Sequence, residues 1–266
     1  MTDKTARLFH DRTGRLRQYT YTNNFFLEVS YMDEIYIHGF MEYMTYIANH
    51  CTEQNLFRGI HNKSYKLIPK IGREVYSSKL KGTEAEQLDA LQDLEEQTMH
   101  RFVDMSVPYL DLRNMNSWDQ WTIGQHHGVP TRFLDWTQNP LIAAYFSVEG
   151  GKDIDAAVYI IDKDSFSDSS DVDDLFSAPD EIVLHTPSYI NPRISAQKGV
   201  FTVHKNPLKP IDITLSEMGL PITKMVISHT CFDEMRNKLD WCGINRAFVY
   251  PGLDGVASYV DLKAQQ

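Results

Sequence analysis

No apolar stretch in this 266-residue chain reaches the length of a membrane span. The N-terminal MTDKTARLFHDRTGR also lacks the apolar core of a secretory leader. Together these absences point to the cytoplasm. Cysteine is scarce: Cys51, Cys231 and Cys242 stand far apart, and none belongs to a C-x-x-C pair. That argues against a structural zinc site and suits reduced thiols. Basic charge is in short supply. With 26 Lys and Arg against 36 Asp and Glu, the formal charge is -10, which excludes a generic polyanion binder with a broad basic face. A few Arg and Lys would still suffice to hold a nucleotide. There is no G-x-G-x-x-G, no G-x-x-x-x-G-K-[ST], no H-E-x-x-H and no G-x-S-x-G, so dinucleotide-fold, P-loop, zincin and serine-hydrolase readings lose their usual support. Internal repeats and clear linkers are missing as well.

What is present is ordinary globular composition, with 42% hydrophobic and 23% charged residues. Apolar spacing predicts a helix from Met32 to Asn49, and the apolar Asn55–Ile60 reads as a strand. Lys66 to Pro69 is a connector. Thr83 and Glu86 form a capping box that opens a helix to Ser106, with Leu88, Leu91, Leu94, Thr98 and Phe102 on its inner face. Ser117 to Gly124 is a short helix. Thr131 to Trp136 is extended, and Asn139 and Pro140 then cap a helix through Phe146. Ala156–Ile161, Gly199–His204 and Lys224–Ser228 read as strands. Cys231 to Cys242 is a helix stopped by Gly243, and Leu253 to Leu262 is a C-terminal helix. Residues 164–180 are acidic and Ser-rich and read as an exposed loop. Helices crowd the first half and strands the second, which favours an α+β class over regular βαβ alternation.

Chemistry gathers in three islands: Leu56-Phe57-Arg58-Gly59, the stretch Trp121 to Phe146, and Arg193 to Phe201. In the second, Gln125, His126, His127, Thr131, Arg132, Asp135 and Thr137 fall within thirteen positions, beside Trp136. On an extended segment, Thr131, Phe133, Asp135 and Thr137 share one face, and Arg132, Leu134 and Trp136 the other. Two hydroxyls in line with a carboxylate suit the hydroxyls of a sugar. The helix start that follows suits a phosphate. Equally, Asp135 suits capping near Asn139 or pairing with Arg132, the histidines suit core or surface roles, and Trp121 and Trp136 suit the core. Arg58, in an apolar strand, requires acceptors from a carboxylate, Asp135 among them, or from a bound phosphate. His126, His127 and Asp135 could also be read as metal ligands, but adjacent residues of an extended segment point apart, so no metal site is assigned.

These islands resemble the FRG-domain family. The resemblance rests on Phe57-Arg58-Gly59 and the Gln-His-His-Gly-Val-Pro-Thr-Arg-Phe-Leu-Asp-Trp-Thr run from Gln125 to Thr137. Asn139-Pro140, Ala144-Tyr145-Phe146, the Arg193, Gln197, Gly199, Phe201 pattern and the turn Pro251 to Gly255 add to it. It implies a single domain over 1–266 with a core of about 32–260 and an N-terminal extension at 1–31. FRG domains are distantly similar to ADP-ribosyltransferases. The implied fold is therefore a mixed, mainly antiparallel core sheet of that type, with a helical N-terminal half. The implied chemistry is transfer of ADP-ribose from NAD, without a metal. Arg58 would hold NAD. Gly59, Gln125, His126, His127, Thr131, Arg132, Thr137 and Tyr145 would line its site. Asp135 would carry the catalytic charge, and Gln197 would stand on a late strand near the usual Glu, with Asp180 and Glu181 as alternatives. The acceptor would be RNA, DNA or protein, in a toxin or phage-defence setting with an antitoxin partner. A non-catalytic nucleotide- or partner-binding module and an NAD glycohydrolase are the competing readings.

Overall fold

A computed structural model describes residues 32–265 apart from 151–152, 173, 178–179 and 189–191, together with the backbone of three earlier strands. In chain order the strands are β1 (Ala6–His10), β2 (Leu16–Thr22), β3 (Phe25–Glu28), β4 (Met32–Ile37), β5 (Asn55–Ile60), β6 (Phe133–Thr137), β7 (Ala156–Asp162), β8 (Ser167–Asp168), β9 (Ile182–His185), β10 (Gly199–His204) and β11 (Ile222–Ile227). The helices are α1 (Phe40–His50), α2 (Glu74–Ser77), α3 (Glu84–Ser106), α4 (Ser117–His126), α5 (Pro140–Val148), α6 (Pro192–Gln197), α7 (Ile211–Met218), α8 (Phe232–Trp241), α9 (Arg246–Val249) and α10 (Leu253–Ala264). The class is mixed α+β, and most strand pairs are antiparallel.

The chain forms two compact units. The first takes residues 1–65, 137–163 and 212–266. Its strands run β4-β11-β7-β5, and Thr137 at the end of β6 pairs with Phe57. β4 lies parallel to β11, and the other pairs are antiparallel. β7 is apolar along nearly its whole length because both of its faces are buried, while β11 and β5 pair with its two edges. Phe57, Ile142, Val158, Ile227, Phe232 and Met235 form its core with α1, α5 and α8. Each such fully buried aliphatic or aromatic side chain is worth about 1.5–3 kcal/mol over an exposed one. β1, β2 and β3 add a small antiparallel sheet.

The second unit takes residues 66–136 and 164–211. Its strands run β6-β10-β9-β8, and its core joins Met99, Val103, Trp121, Phe133, Phe201 and Val203. α4 approaches α3 closely at Gly124, where a Cβ would stand 2.4 Å from the Met99 methyl carbon.

Several expectations change here. The helix expected from Met32 splits. Met32–Ile37 is a strand, because it finds a full parallel partner in Ile222–Ile227, and the helix begins at Phe40. The N-terminal half is therefore not mainly helical: β1 to β5 all precede residue 61. On α3 the buried face is Leu91, Glu95, Met99 and Val103, while Leu94 is exposed. The stripe is rotated because it includes an acid with a buried partner. The 164–180 segment is not simply an exposed loop. Ser169, Val172 and Leu175 are buried, and the Val172 carbonyl accepts a hydrogen bond from Trp118 Nε1 at 3.2 Å. β1, β2, β3, β8, β9, α2, α6, α7 and α9 have no counterpart among the expected elements, whereas β5, β6, β7, β10, β11, α3, α4, α5, α8 and α10 stand close to their expected bounds. The α3 capping box, Asn139 Oδ1 accepting from Leu141 N at 2.9 Å, and Gly243 at φ 79° all follow the sequence signals.

Candidate functional site

In β5, side chains alternate across the strand. Phe57 enters the core with Ile142 and Ala143. Gly59 lies on the same side, where a Cβ would stand 1.8 Å from the Ala143 carbonyl oxygen and 2.8 Å from Ser147 N. Only glycine lets α5 sit this close to the strand. Arg58 points to the other side and is half-buried, opposite Tyr159 of β7. Thr137 is buried, and its hydroxyl accepts from Asn139 N at 3.0 Å, tightening the turn into α5. Tyr145, on α5, gives its hydroxyl to Glu149 Oε1 at 3.0 Å. Burial, then the Glu149 carboxylate, push that hydroxyl's pKa well up. Arg58, Gly59, Thr137 and Tyr145 all belong to the first unit.

The second unit brings together Gln125, Thr131 and Asp135. The Thr131 hydroxyl, fully buried, donates to Gln125 Oε1 at 2.6 Å, and Gln125 Nε2 donates to Asp135 Oδ2 at 3.0 Å. Thr131 Oγ1 also accepts from Phe133 N at 3.2 Å. The expected shared face of Thr131 and Asp135 is thus realised, with one amide clamping both. Asp135 is exposed, so a carboxylate held by a fixed amide faces the surroundings. His126 and His127 close α4 and its cap instead of lying on an extended segment, with their rings edge to face at 5.1 Å. Burial, then Arg193 and His127, lower the His126 pKa to about 4, while Asp135 acts in the opposite direction. His126 is therefore a neutral imidazole within the fields of one guanidinium and one carboxylate. Gly128, at φ 86°, makes the turn after α4, and its carbonyl accepts from Lys70 Nζ at 2.6 Å.

Arg132 does not pair with Asp135. It is buried, with Nε 2.9 Å from Glu95 Oε2, its own N–H on Glu95 Oε1, and its guanidinium 4.3 Å from the Phe176 ring centroid. Burial pushes the Glu95 carboxyl up, and the Arg132 charge opposes it. Arg132 is thereby removed from the set that could meet a ligand. Gln197 is not on a late strand. It ends α6, ahead of Lys198 at φ 45°, with β10 starting at Gly199. Trp136 belongs to the core, as Trp121 does, and its Nε1 donates to Thr202 Oγ1 at 2.9 Å.

Sequence reasoning missed Glu95, whose place on an apolar stripe between Leu91 and Met99 was a readable signal. It also missed His185. That ring is buried between the hydroxyls of Thr122 (3.0 Å) and Ser169 (2.7 Å) and stacks on Trp118 at 4.7 Å, and burial lowers its pKa to about 4. Arg193 stood in the third island without an assigned role.

Residues 53–156 match the family model described as FRG domain. The chain carries an FRG domain. The matched stretch opens just before Phe57-Arg58-Gly59 and contains the whole Gln125–Thr137 run, α5 and Tyr145, so the FRG domain accounts for two of the three islands. Arg193 and Gln197 lie beyond it. No curated protein and no solved structure matches the chain. No described helix is long and apolar enough to cross a membrane.

Proposed function

We propose that this FRG-domain protein transfers ADP-ribose from NAD to a macromolecule, RNA among the candidates, and that its strands are of the ADP-ribosyltransferase type. The observation that supports this reading is the exposed Asp135 carboxylate, oriented by Gln125, which is itself anchored by buried Thr131. A fixed carboxylate can stabilise positive charge that develops on a ribose as its glycosidic bond to nicotinamide breaks. The bonding pair leaves with nicotinamide, an acceptor oxygen or nitrogen bonds to the same carbon, and the acceptor's proton passes to water. Arg193, beside His126, supplies a cation for phosphate, and the neutral imidazole adds no competing positive charge. Arg58 takes the phosphate-holding part that the family resemblance implies. An effector role in a toxin or defence system, held in check by an antitoxin protein, belongs to the same reading.

Gln197 cannot supply charge, and its place at the end of α6 favours one second reading: a module that binds a nucleotide without turnover. Incubation of the protein with labelled NAD and a cell lysate tests both. The expected result is nicotinamide release with label on a nuclease- or protease-sensitive product, and a loss of about 10²–10³-fold in Asp135→Asn. Free ADP-ribose alone would make the protein a glycohydrolase. Binding without nicotinamide release would leave the module. Undiminished turnover in both Arg58→Ala and Asp135→Ala would overturn the assignment.

A further inference from the structure

A cavity of about 410 Å³ opens within the first unit, between the end of α5, α8, α9 and α10. That volume lies in the range of small-molecule sites. Tyr145, Val148, Ile244 and Leu262 give it apolar and aromatic wall. Of its three carboxylates, Glu149 and Asp240 are already occupied by the protein, while Asp233 is 94% exposed and pairs with Arg236 Nη1 at 2.9 Å. Glu149 accepts from Tyr145 and from Arg246 Nη1 on one oxygen, and from Tyr250 at 2.8 Å on the other. Asp240 accepts from Asn245 at 3.0 Å and Tyr259 at 2.9 Å, and holds Lys263 at 2.6 Å. With their lone pairs so engaged, these acids make poor partners for an incoming cation or donor. The balance is different for Arg246. A guanidinium carries five N–H donors in a rigid fork. Arg246 gives Nη1 to Glu149 and lies 5.0 Å from the Tyr250 ring centroid, which fixes its plane while its side chain stays 36% exposed at the cavity. Beside Arg246 the wall therefore offers oriented donors next to apolar surface, with the acceptors of Glu149 and Asp240 occupied and Asp233 exposed on its ion pair with Arg236.

We infer that this cavity binds a small organic anion: one phosphate or carboxylate on Arg246, joined to a planar or apolar body lying between Tyr145, Ile244 and Leu262. The site takes Tyr145, which the resemblance would give to NAD, but shares no residue with the Asp135 cluster and does not depend on the transferase reading. Its occupant would bridge α5, which carries Tyr145 and Glu149, to the C-terminal helices.

Calorimetric titration of the full chain with phenyl phosphate and with benzoate tests this, with inorganic phosphate and phenol as the separated halves. Saturable binding of at least one intact anion is expected, with each half weaker by about tenfold or more. Arg246→Gln and Leu262→Trp, the second a filling of the cavity from an exposed position, should each cut the affinity by about tenfold or more. Asp135→Asn should leave it unchanged. Absence of binding by both probes would overturn the inference. So would retained affinity in both cavity variants, or loss in Asp135→Asn, which would put the guest in the second unit. Nicotinamide release reads the transferase assignment independently of every arm.

Discussion

The two units bury different things. The first is sealed by hydrocarbon: its central strand β7, flanked by β5 and β11, packs with α1, α5 and α8 through Phe57, Ile142, Val158 and Met235, and its ion pairs Lys63–Asp155 and Arg246–Glu149 stay partly open to solvent. The second buries polar partners inside its apolar cluster: Glu95 with Arg132, His185 between two hydroxyls, and Trp136 on Thr202, whose hydroxyl also meets His204 Nε2 at 2.9 Å. The lesson concerns the polar run from Gln125 to Thr137. Much of its polarity is structural, since Arg132 and Thr131 are buried with internal partners, and Asp135 is what it leaves at the surface. A dense motif marks both the support of a site and the site itself.

The largest effect expected is in the second unit. Glu95→Ala should destabilise it by about 3–5 kcal/mol, because the Arg132 charge is left buried without its carboxylate. Replacing both, Glu95→Leu with Arg132→Met, should recover most of that loss in denaturant titrations. If the double variant is as unstable as the single one, the pair does more than neutralise itself. Acid should come next and should act on the same unit. The His185 pKa is about 4 in the fold against about 6.5 unfolded. Its contribution is complete above pH 6.5 and falls as the pH drops toward 4, because the unfolded chain takes up the proton first, for a total of about 3 kcal/mol. Asp155, in the first unit, has its pKa lowered by His229 and Lys63, so its contribution is complete above the usual carboxylate range and is lost as the pH falls from there toward the lowered value. Hydrogen exchange between pH 6.5 and 4 should therefore loosen the second unit first; uniform loosening would remove the contrast. In the first unit Gly59→Ala should cost about 2 kcal/mol by thermal melting, as the Cβ forces α5 from β5. Thr83→Ala should cost about 1 kcal/mol, since it removes an exposed cap with no buried partner.

Legibility in the sequence followed the same division. Helix ends were readable because caps are local: Thr83 with Glu86, Asn139 with Pro140, and Gly243 each act within a few residues. β7 was readable from its apolar run and β10 from the alternation of Val200 and Thr202 with Phe201 and Val203. Met32–Ile37 was not, because its strand state depends on a partner about 190 positions away. Within the site, alternation along the extended segment expected from Thr131 placed Thr131 with Asp135, but nothing local shows that Arg132 turns inward to Glu95, 37 positions earlier. Gln197 was assigned to a strand by analogy with a family pattern, whereas the segment before β10 closes as a helix.

The parallel register of β4 on β11 sets an order on biosynthesis. A chain emerging from the ribosome N-terminus first holds Met32–Ile37 long before Ile222–Ile227 exists to pair with it. β11 also joins β4 to β7, so the first unit's sheet closes only when the last quarter of the protein is made. Until then β4 and one side of β7 stand as open strand edges, which attract other chains. The nascent protein thus has a long interval in which a chaperone or a binding partner can take those edges, and that interval ends only with translation of β11.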